Sequence, residues 1–234
     1  MNENKTRESQ ERIYRDLYER HKDTPKAVSS ESWEHKFLRY KNICKIFYDD
    51  EEWVTDSGGV SVHDIGMGVA DLYAYIKNQF GDKKICYSGS DILEEFVMCA
   101  KRRYPEFDFY HRDIAEATFD DKYDYLVMSG IFHQRQDIII KDWENFSQRI
   151  IKNAFSMCKK GVAFNFISPF VDFYQTQVYY CNLPKLLNFI NDNLSRFFEI
   201  KHNYALYEFT VYVYQEAYIK TKHHQPEFQK YFKI

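Results

Sequence analysis

The chain has 234 residues, 44% of them hydrophobic, which suits one α/β domain with additions and a sizeable core rather than two full domains. A formal net charge of −3, from 32 basic and 35 acidic residues, argues against general affinity for nucleic acid. The charged stretch Met1 to Arg12 has no apolar core, no run approaches the ~18 apolar residues of a membrane span, and the five cysteines (Cys44, Cys86, Cys99, Cys158, Cys181) are scattered without metal-ligand spacing. These features predict a cytoplasmic protein with reduced thiols, no signal peptide, no membrane segment and no metal.

In chain order, Ile13 and Leu17, with Tyr14 and Tyr18, mark one face of a short helix that Thr24-Pro25 should stop. From Trp33, the apolar residues Phe37, Tyr40, Ile43 and Phe47 recur at helical spacing behind the cap candidates Ser29, Ser30 and Ser32. Residues 1–50 therefore read as an N-terminal helical segment, a candidate lid, and residues 50–59 as an acidic surface loop. A strand over Val60 to His63 runs into Asp64, a turn with Gly66 and Gly68, and a helix carrying Val69, Leu72, Tyr73, Ile76 and Phe80, which Gly81-Asp82 should end. Four more strands follow, at Lys84–Tyr87, 107–111, Tyr123–Met128 and Gly161–Ile167. Helices are expected at Ile92–Arg103, Trp143–Cys158 and Leu183–Leu194, the last with Pro184 in its first turn. Phe197–Asn203 and Leu206–Tyr214 are two strands joined by too few residues for a parallel crossover. The alternation predicts a mostly parallel seven-stranded α/β sheet with helices on both faces and an antiparallel last strand. Residues 51–216 make this domain, and 217–234 a solvated tail in which His223-His224 is no metal site.

The turn at Gly66 and Gly68 falls at the carboxyl edge of the first strand, where ligands bind in such sheets. Dinucleotide sites use three glycines; here Asp64 precedes the pair and Asp71 follows it. Two carboxylates repel a pyrophosphate but tolerate a cation such as the sulfonium and α-amino group of S-adenosylmethionine. Asp91, at the end of the second strand, is placed to accept from ribose hydroxyls. Asp113, at the end of the third, is placed to accept from an adenine amine. Each acid alone also fits a helix N-terminus; three at successive strand ends fit a binding site better.

The stretches His63-Asp64-Ile65-Gly66-Met67-Gly68-Val69-Ala70-Asp71, Gly89-Ser90-Asp91, Arg112-Asp113-Ile114 and Tyr123 to Gly130, with the closing antiparallel strand, resemble the class I S-adenosylmethionine-dependent methyltransferases over about residues 60–215. The resemblance implies a Rossmann-like fold, S-adenosylmethionine as cofactor and S-adenosylhomocysteine as product. It also implies that Gly66 and Gly68 contact the methionine part, Asp91 holds the ribose, Asp113 with Ile114 frames the adenine, and Ser129 and Gly130 lie beside the transferring methyl; Asp64, Asp71 and Ile92 are expected to bind the cofactor as well. Ala70 replaces a glycine often found there, a change expected to strain helix packing little. Segments near 129–132, 162–166 and 206–212 look like a bacterial small-molecule subgroup met in surface-polysaccharide (capsule) pathways.

On the acceptor side, His133 is the expected general base, since an oxygen or nitrogen nucleophile must lose a proton. Asp172, Tyr174, Tyr179 and Tyr180 are expected to wall the acceptor pocket, with Tyr207 and Glu208 facing it and His21, Asp23 and Lys26 closing over it. The expected partner is a small-molecule acceptor, with monomer and homodimer both open. O-methylation is the main expectation. N-methylation of an amine, a nicotinamide oxidoreductase and a non-catalytic cofactor-binding relative are the alternatives.

Overall fold

Short apolar strands, paired in parallel, set the frame. The computed structural model describes residues 3–22, 24–28, 30–48, 59–81 and 85–232. Among them, seven strands form one sheet: β1 (Val60–Ile65), β2 (Ile85–Asp91), β3 (Asp108–His111), β4 (Tyr123–Met128), β5 (Cys158–Ile167), β6 (Phe198–Lys201) and β7 (Glu208–Tyr214). Their order is β3-β2-β1-β4-β5-β7-β6. β1 to β5 run parallel, and β7 runs antiparallel to both β5 and β6. The last strand is thus slotted between β5 and the edge strand β6, as the short connection after β6 requires. The expected acidic loop, Asp82 and Lys84 lie outside the described residues, apart from Gly59.

Both faces of the sheet are buried, so side chains of alternate parity enter two cores. On one face Leu126 and Met128 of β4 and Val211 and Val213 of β7 meet Trp143, Ile150 and Ile151 of α6 (Ile140–Met157), with Leu186 and Ile190 of α7 (Leu183–Asn193). On the other, Tyr125, Val127 and Tyr212 meet α2 (Trp33–Ile43), α3 (Lys45–Tyr48) and α4 (Asp71–Phe80). Trp143 is fully buried; burying a large apolar side chain contributes roughly 1.5–3 kcal/mol. α5 (Glu94–Arg103) packs by Val97 and Ala100 on the second core, and by Phe96 against Tyr18 of α1 (Glu3–His21), with ring centroids 5.1 Å apart.

Ser32 caps α2, its side chain accepting the His35 N–H at 3.2 Å. The helix expected to continue through Phe47 breaks at Cys44 into α2 and α3. The expected solvated tail is instead partly structured. α8 (Glu216–Lys222) buries Tyr218, whose hydroxyl lies 3.1 Å from that of Tyr125, and Phe232 is buried against Phe197. Tyr218 and Phe232 each dock on an aromatic side chain contributed by the sheet region, a partner their polar neighbours in sequence give no hint of.

Candidate active site

The parallel register aligns Ile65 of β1 with Ser90 of β2 and with Met128 of β4, so the turns after these strands open on one edge. Gly66 and Met67 donate backbone N–H groups to the Ser90 carbonyl at 2.8 and 3.2 Å. Asp91 then binds the turn: its Oδ2 accepts the Gly68 N–H and its Oδ1 the Leu93 N–H, each at 2.9 Å. Gly66 and Gly68 adopt φ +69° and +57°, in the left-handed region that favours glycine, and a Cβ on Gly66 would run into Ile131 Cγ2. Ala70 continues this alternation at φ +61°. The departure from glycine therefore bears on the backbone rather than on helix packing, because a non-glycine residue in this region costs roughly 1–2 kcal/mol.

Together these turns frame a narrow crevice of about 100 Å³. Gly66, Gly68, Asp91, Ile92, Asp113, Ile114, Ser129 and Gly130 line it together with Ile131, Phe146 and Ile150. Burial pushes the Asp91 carboxyl up to about 6, against the backbone amides that hold it down. Burial also raises Asp113, whose Oδ1 accepts the Ala115 N–H at 2.8 Å and whose Oδ2 lies 3.8 Å from Arg7 Nε. Gln10 and Tyr14 of α1, with Val28, cover the crevice. A largely apolar slot lined by two carboxylates and a glycine turn fits an adenosyl group. The cavity is narrower than the usual ligand site, so a nucleoside needs the covering segment to yield.

Two expected cofactor residues stand off the crevice wall. Asp71 is shared between Lys36 Nζ at 2.5 Å and Arg103 Nη1 at 2.7 Å. It ties α4 to α2 and α5. Asp64 points into the core on the other face of the sheet, where Tyr87 donates its hydroxyl to Oδ2 at 2.8 Å and Oδ1 has no hydrogen-bond partner among the described residues. Burial there pushes its carboxyl up to about 7.

Beside the crevice, past Gly130, lies an open cleft of about 610 Å³. Its floor is a buried polar network. Gly130 N–H donates to Asn165 Oδ1 at 2.7 Å, which turns the Asn165 amide nitrogen toward Glu208 Oε2 at 2.5 Å and His133 Nε2 at 3.2 Å. Arg39 Nε lies 2.9 Å from Glu208 Oε2 and Arg39 Nη2 lies 2.5 Å from Oε1. Burial alone would raise the Glu208 carboxyl; Arg39, His133 and Asn165 outweigh it and hold it at about 2. Burial lowers His133 to about 4, so it is neutral at pH 7. Because Asn165 donates to Nε2, the imidazole proton sits on Nδ1, 3.9 Å from Glu208 Oε1.

Tyr180, Tyr207, Glu208 and His133 line this cleft as expected. Asp172 reaches it indirectly, accepting the Tyr207 hydroxyl. Tyr179 does not line it: its N–H supports the His133 carbonyl at 2.8 Å, while its buried ring turns away and its hydroxyl donates to Glu144 at 3.1 Å. Tyr174 is exposed, donating to the Pro169 carbonyl at 2.8 Å. His21 and Lys26 line neither cavity, and Asp23 lies outside the described residues. Arg39, Asn165, Gln10 and Tyr14 are the residues that sequence reasoning missed as site members. Asn165 left one trace, as a lone amide in the apolar run of β5. Among the described residues no group of three His, Cys, Asp or Glu is arranged to hold a metal ion, and no helix is long and apolar enough to cross a membrane.

No family model matches the chain. A Mycobacterium tuberculosis protein named "Putative methyltransferase Rv1506c" is 28% identical over 158 residues, 65% of this chain and 92% of the relative. The N-methyltransferase NodS of Bradyrhizobium japonicum, solved with S-adenosyl-L-homocysteine, is similar in fold, with TM-score 0.58, 10% identity, and 88% of this chain and 97% of that one covered. The magnesium protoporphyrin IX methyltransferase of Synechocystis, solved with the same product, gives TM-score 0.57 at 15% identity, with 92% and 100% covered. Taken with the glycine turn, the acids at the ends of β2 and β3 and the inserted antiparallel strand, these likenesses show that the chain has the fold of the class I S-adenosylmethionine-dependent methyltransferases and is similar in sequence to a protein named a putative methyltransferase.

Proposed function

We propose that this methyltransferase moves the methyl group of S-adenosylmethionine to a hydroxyl of a small molecule held in the open cleft. The observation that supports the reading is a link between two cavities: Asn165 accepts the N–H of Gly130, which lines the narrow crevice, and donates to His133 and Glu208, which line the open cleft. When bound, the cofactor supplies an electrophilic carbon. The chain supplies position and exclusion of water.

In this reading Asp91 holds the ribose, Asp113 and Ile114 frame the adenine, and Gly66 and Gly68 let the backbone approach the methionine part. Asp64 and Asp71 act behind that turn, through the core and through α2 and α5. When an acceptor hydroxyl is methylated, its proton would pass to His133 Nε2, in place of the long contact from Asn165. The imidazolium so formed lies beside Glu208. Tyr180 and Tyr207 orient the acceptor, with Asp172 fixing the Tyr207 hydroxyl. The N-terminal segment acts as a lid, since Gln10, Tyr14 and Val28 cover the crevice. A cytoplasmic setting and a surface-polysaccharide precursor pathway come from the sequence resemblance and belong to the same proposal.

The test has two readouts. S-adenosylhomocysteine should raise the melting temperature in proportion to the logarithm of its concentration. Methyl-labelled S-adenosylmethionine should label a component of a bacterial small-molecule extract. A chain that neither binds the product nor transfers label is not this enzyme.

A further inference from the structure

The charge of the cleft says which acceptors it admits, an inference that rests on the methyltransferase reading above. Arg39 commits Nε and Nη2 to Glu208, and Asn165 occupies the same carboxylate from the other side. Its third nitrogen, Nη1, lies against Gly130, where a Cβ would stand 3.2 Å away. The Arg39 and Glu208 side chains are only 12% and 7% exposed. Drawing Arg39 toward an incoming anion would strand a buried carboxylate, which is strongly unfavourable.

Among the described residues that line the cleft, Arg39 is the one permanent cation. His35 is paired with Glu31 at 3.3 Å. Glu31 at the wall and Asp172 behind Tyr207 add negative charge. A phosphate entering here meets carboxylates and a single guanidinium, that of Arg39, whose charge is already paired with buried Glu208. What the walls do offer is aromatic surface, from Phe173, Tyr180, Tyr204 and Tyr207. Such faces pack against arenes and the C–H faces of sugar rings, while tyrosine hydroxyls remain for hydrogen bonds.

We propose that the acceptor is an uncharged hydroxyl compound with an apolar ring face, of the glycoside or phenol class, carrying no phosphate or carboxylate. Methylation then precedes any phosphoryl or nucleotidyl transfer onto this molecule, or follows the reaction that removes such a group.

The test uses the full chain saturated with S-adenosylhomocysteine and titrated calorimetrically with UDP and with pyrophosphate. The wild-type chain should bind neither at millimolar concentration. Glu208→Gln, which releases Arg39, should gain affinity for both by at least about tenfold, the worth of a charge-assisted hydrogen bond. UDP binding by the saturated wild-type chain overturns the proposal, and so does a folded Glu208→Gln chain that gains nothing. The wild-type titration decides alone if that variant does not fold. In parallel, the extract labelled from S-adenosylmethionine is split by anion exchange. Label in the unretained fraction is expected. Label in the retained, anionic fraction sinks this inference and leaves the methyltransferase reading standing. Failure to bind S-adenosylhomocysteine brings down that reading itself. Where no fraction carries label, the calorimetry decides.

Discussion

Both oxygens of Asp91 already accept a backbone amide, from Gly68 and from Leu93, at 2.9 Å each. The side chain therefore shapes the glycine turn, besides the ribose-holding role proposed for it. Its raised value of about 6 gives the second role a pH dependence. A ligand that donates to the ionised form lowers that value, so binding releases a proton. Affinity for S-adenosylhomocysteine should then fall as pH drops below about 6; calorimetry between pH 5 and 8 checks the sign, and an unchanged affinity contradicts it. Ala70 makes a second residue-scale case. At φ +61° it carries a strain that glycine lacks. Ala70→Gly should stabilise the chain by roughly 0.5–1 kcal/mol in urea unfolding, after the entropy of the freer unfolded chain is subtracted. Loss of stability would mean that the methyl group packs better than its backbone suggests. His133→Gln tests the proton acceptor: label transfer should drop by about 10²–10⁴-fold with product affinity intact. Unchanged transfer would remove His133 from that role.

At the scale of elements, α1 is the part whose purpose depends most on its neighbours. It is pinned to the sheet's edge by Gln10 Nε2 on the Gln134 carbonyl at 2.8 Å, by Arg15 Nε on Glu95 at 2.7 Å and by the Tyr18–Phe96 contact. The Arg15–Glu95 pair is exposed and contributes little, about 0–1 kcal/mol, whereas Gln10 and Phe96 are buried. Tyr14→Ala should widen the crevice and speed both association and dissociation of S-adenosylhomocysteine in stopped-flow measurements. Unaltered rates would mean that α1 does not gate the crevice. The elements also show what was legible beforehand. β4 matches its expected span, Tyr123–Met128, because its apolar run is bounded by polar residues on both sides. The antiparallel final strand followed from the length of one connection. β5 begins three residues earlier than expected, at Cys158, because α6 runs straight into it with no turn residue between. Asn165 and Arg39 could not be assigned to the site, since neither falls at a strand end. What joins them is a contact between residues 126 positions apart in the chain, through Glu208, which no local pattern encodes. Asp64 and Asp71 have the spacing of ligand residues, yet their side chains found partners in the core and on α2 and α5 instead.

For the whole molecule, buried groups set opposing dependences on pH. His63 is held neutral, burial lowering it to about 3, and bonds Ser88 and Ser90; His133 sits at about 4. Both are protonated in the unfolded chain below about 6.5, so each costs stability as pH falls from there. Asp64 at about 7 and Asp91 at about 6 keep their protons in the folded chain, while the unfolded chain holds them only below about 3.9. They add stability over the same interval. Asp113, also raised by burial, acts in the same direction as the other two acids, so the cost from the two histidines is offset. Unfolding free energy should be nearly flat between about pH 4.5 and 6.5, then fall as Glu208, held at about 2, takes up its proton in the unfolded state first. Urea titrations across that range check this, and a steep loss between pH 6.5 and 4.5 would contradict the balance. The central claim is simpler: acids at the ends of β2 and β3 hold an adenosyl group. Calorimetry of S-adenosylhomocysteine with the wild-type chain and with Asp91→Asn at pH 7.5 tests it most directly. The account predicts one-to-one binding by the wild-type chain and an affinity at least about tenfold weaker in the variant. Equal affinities, or no binding by the wild-type chain, would contradict it.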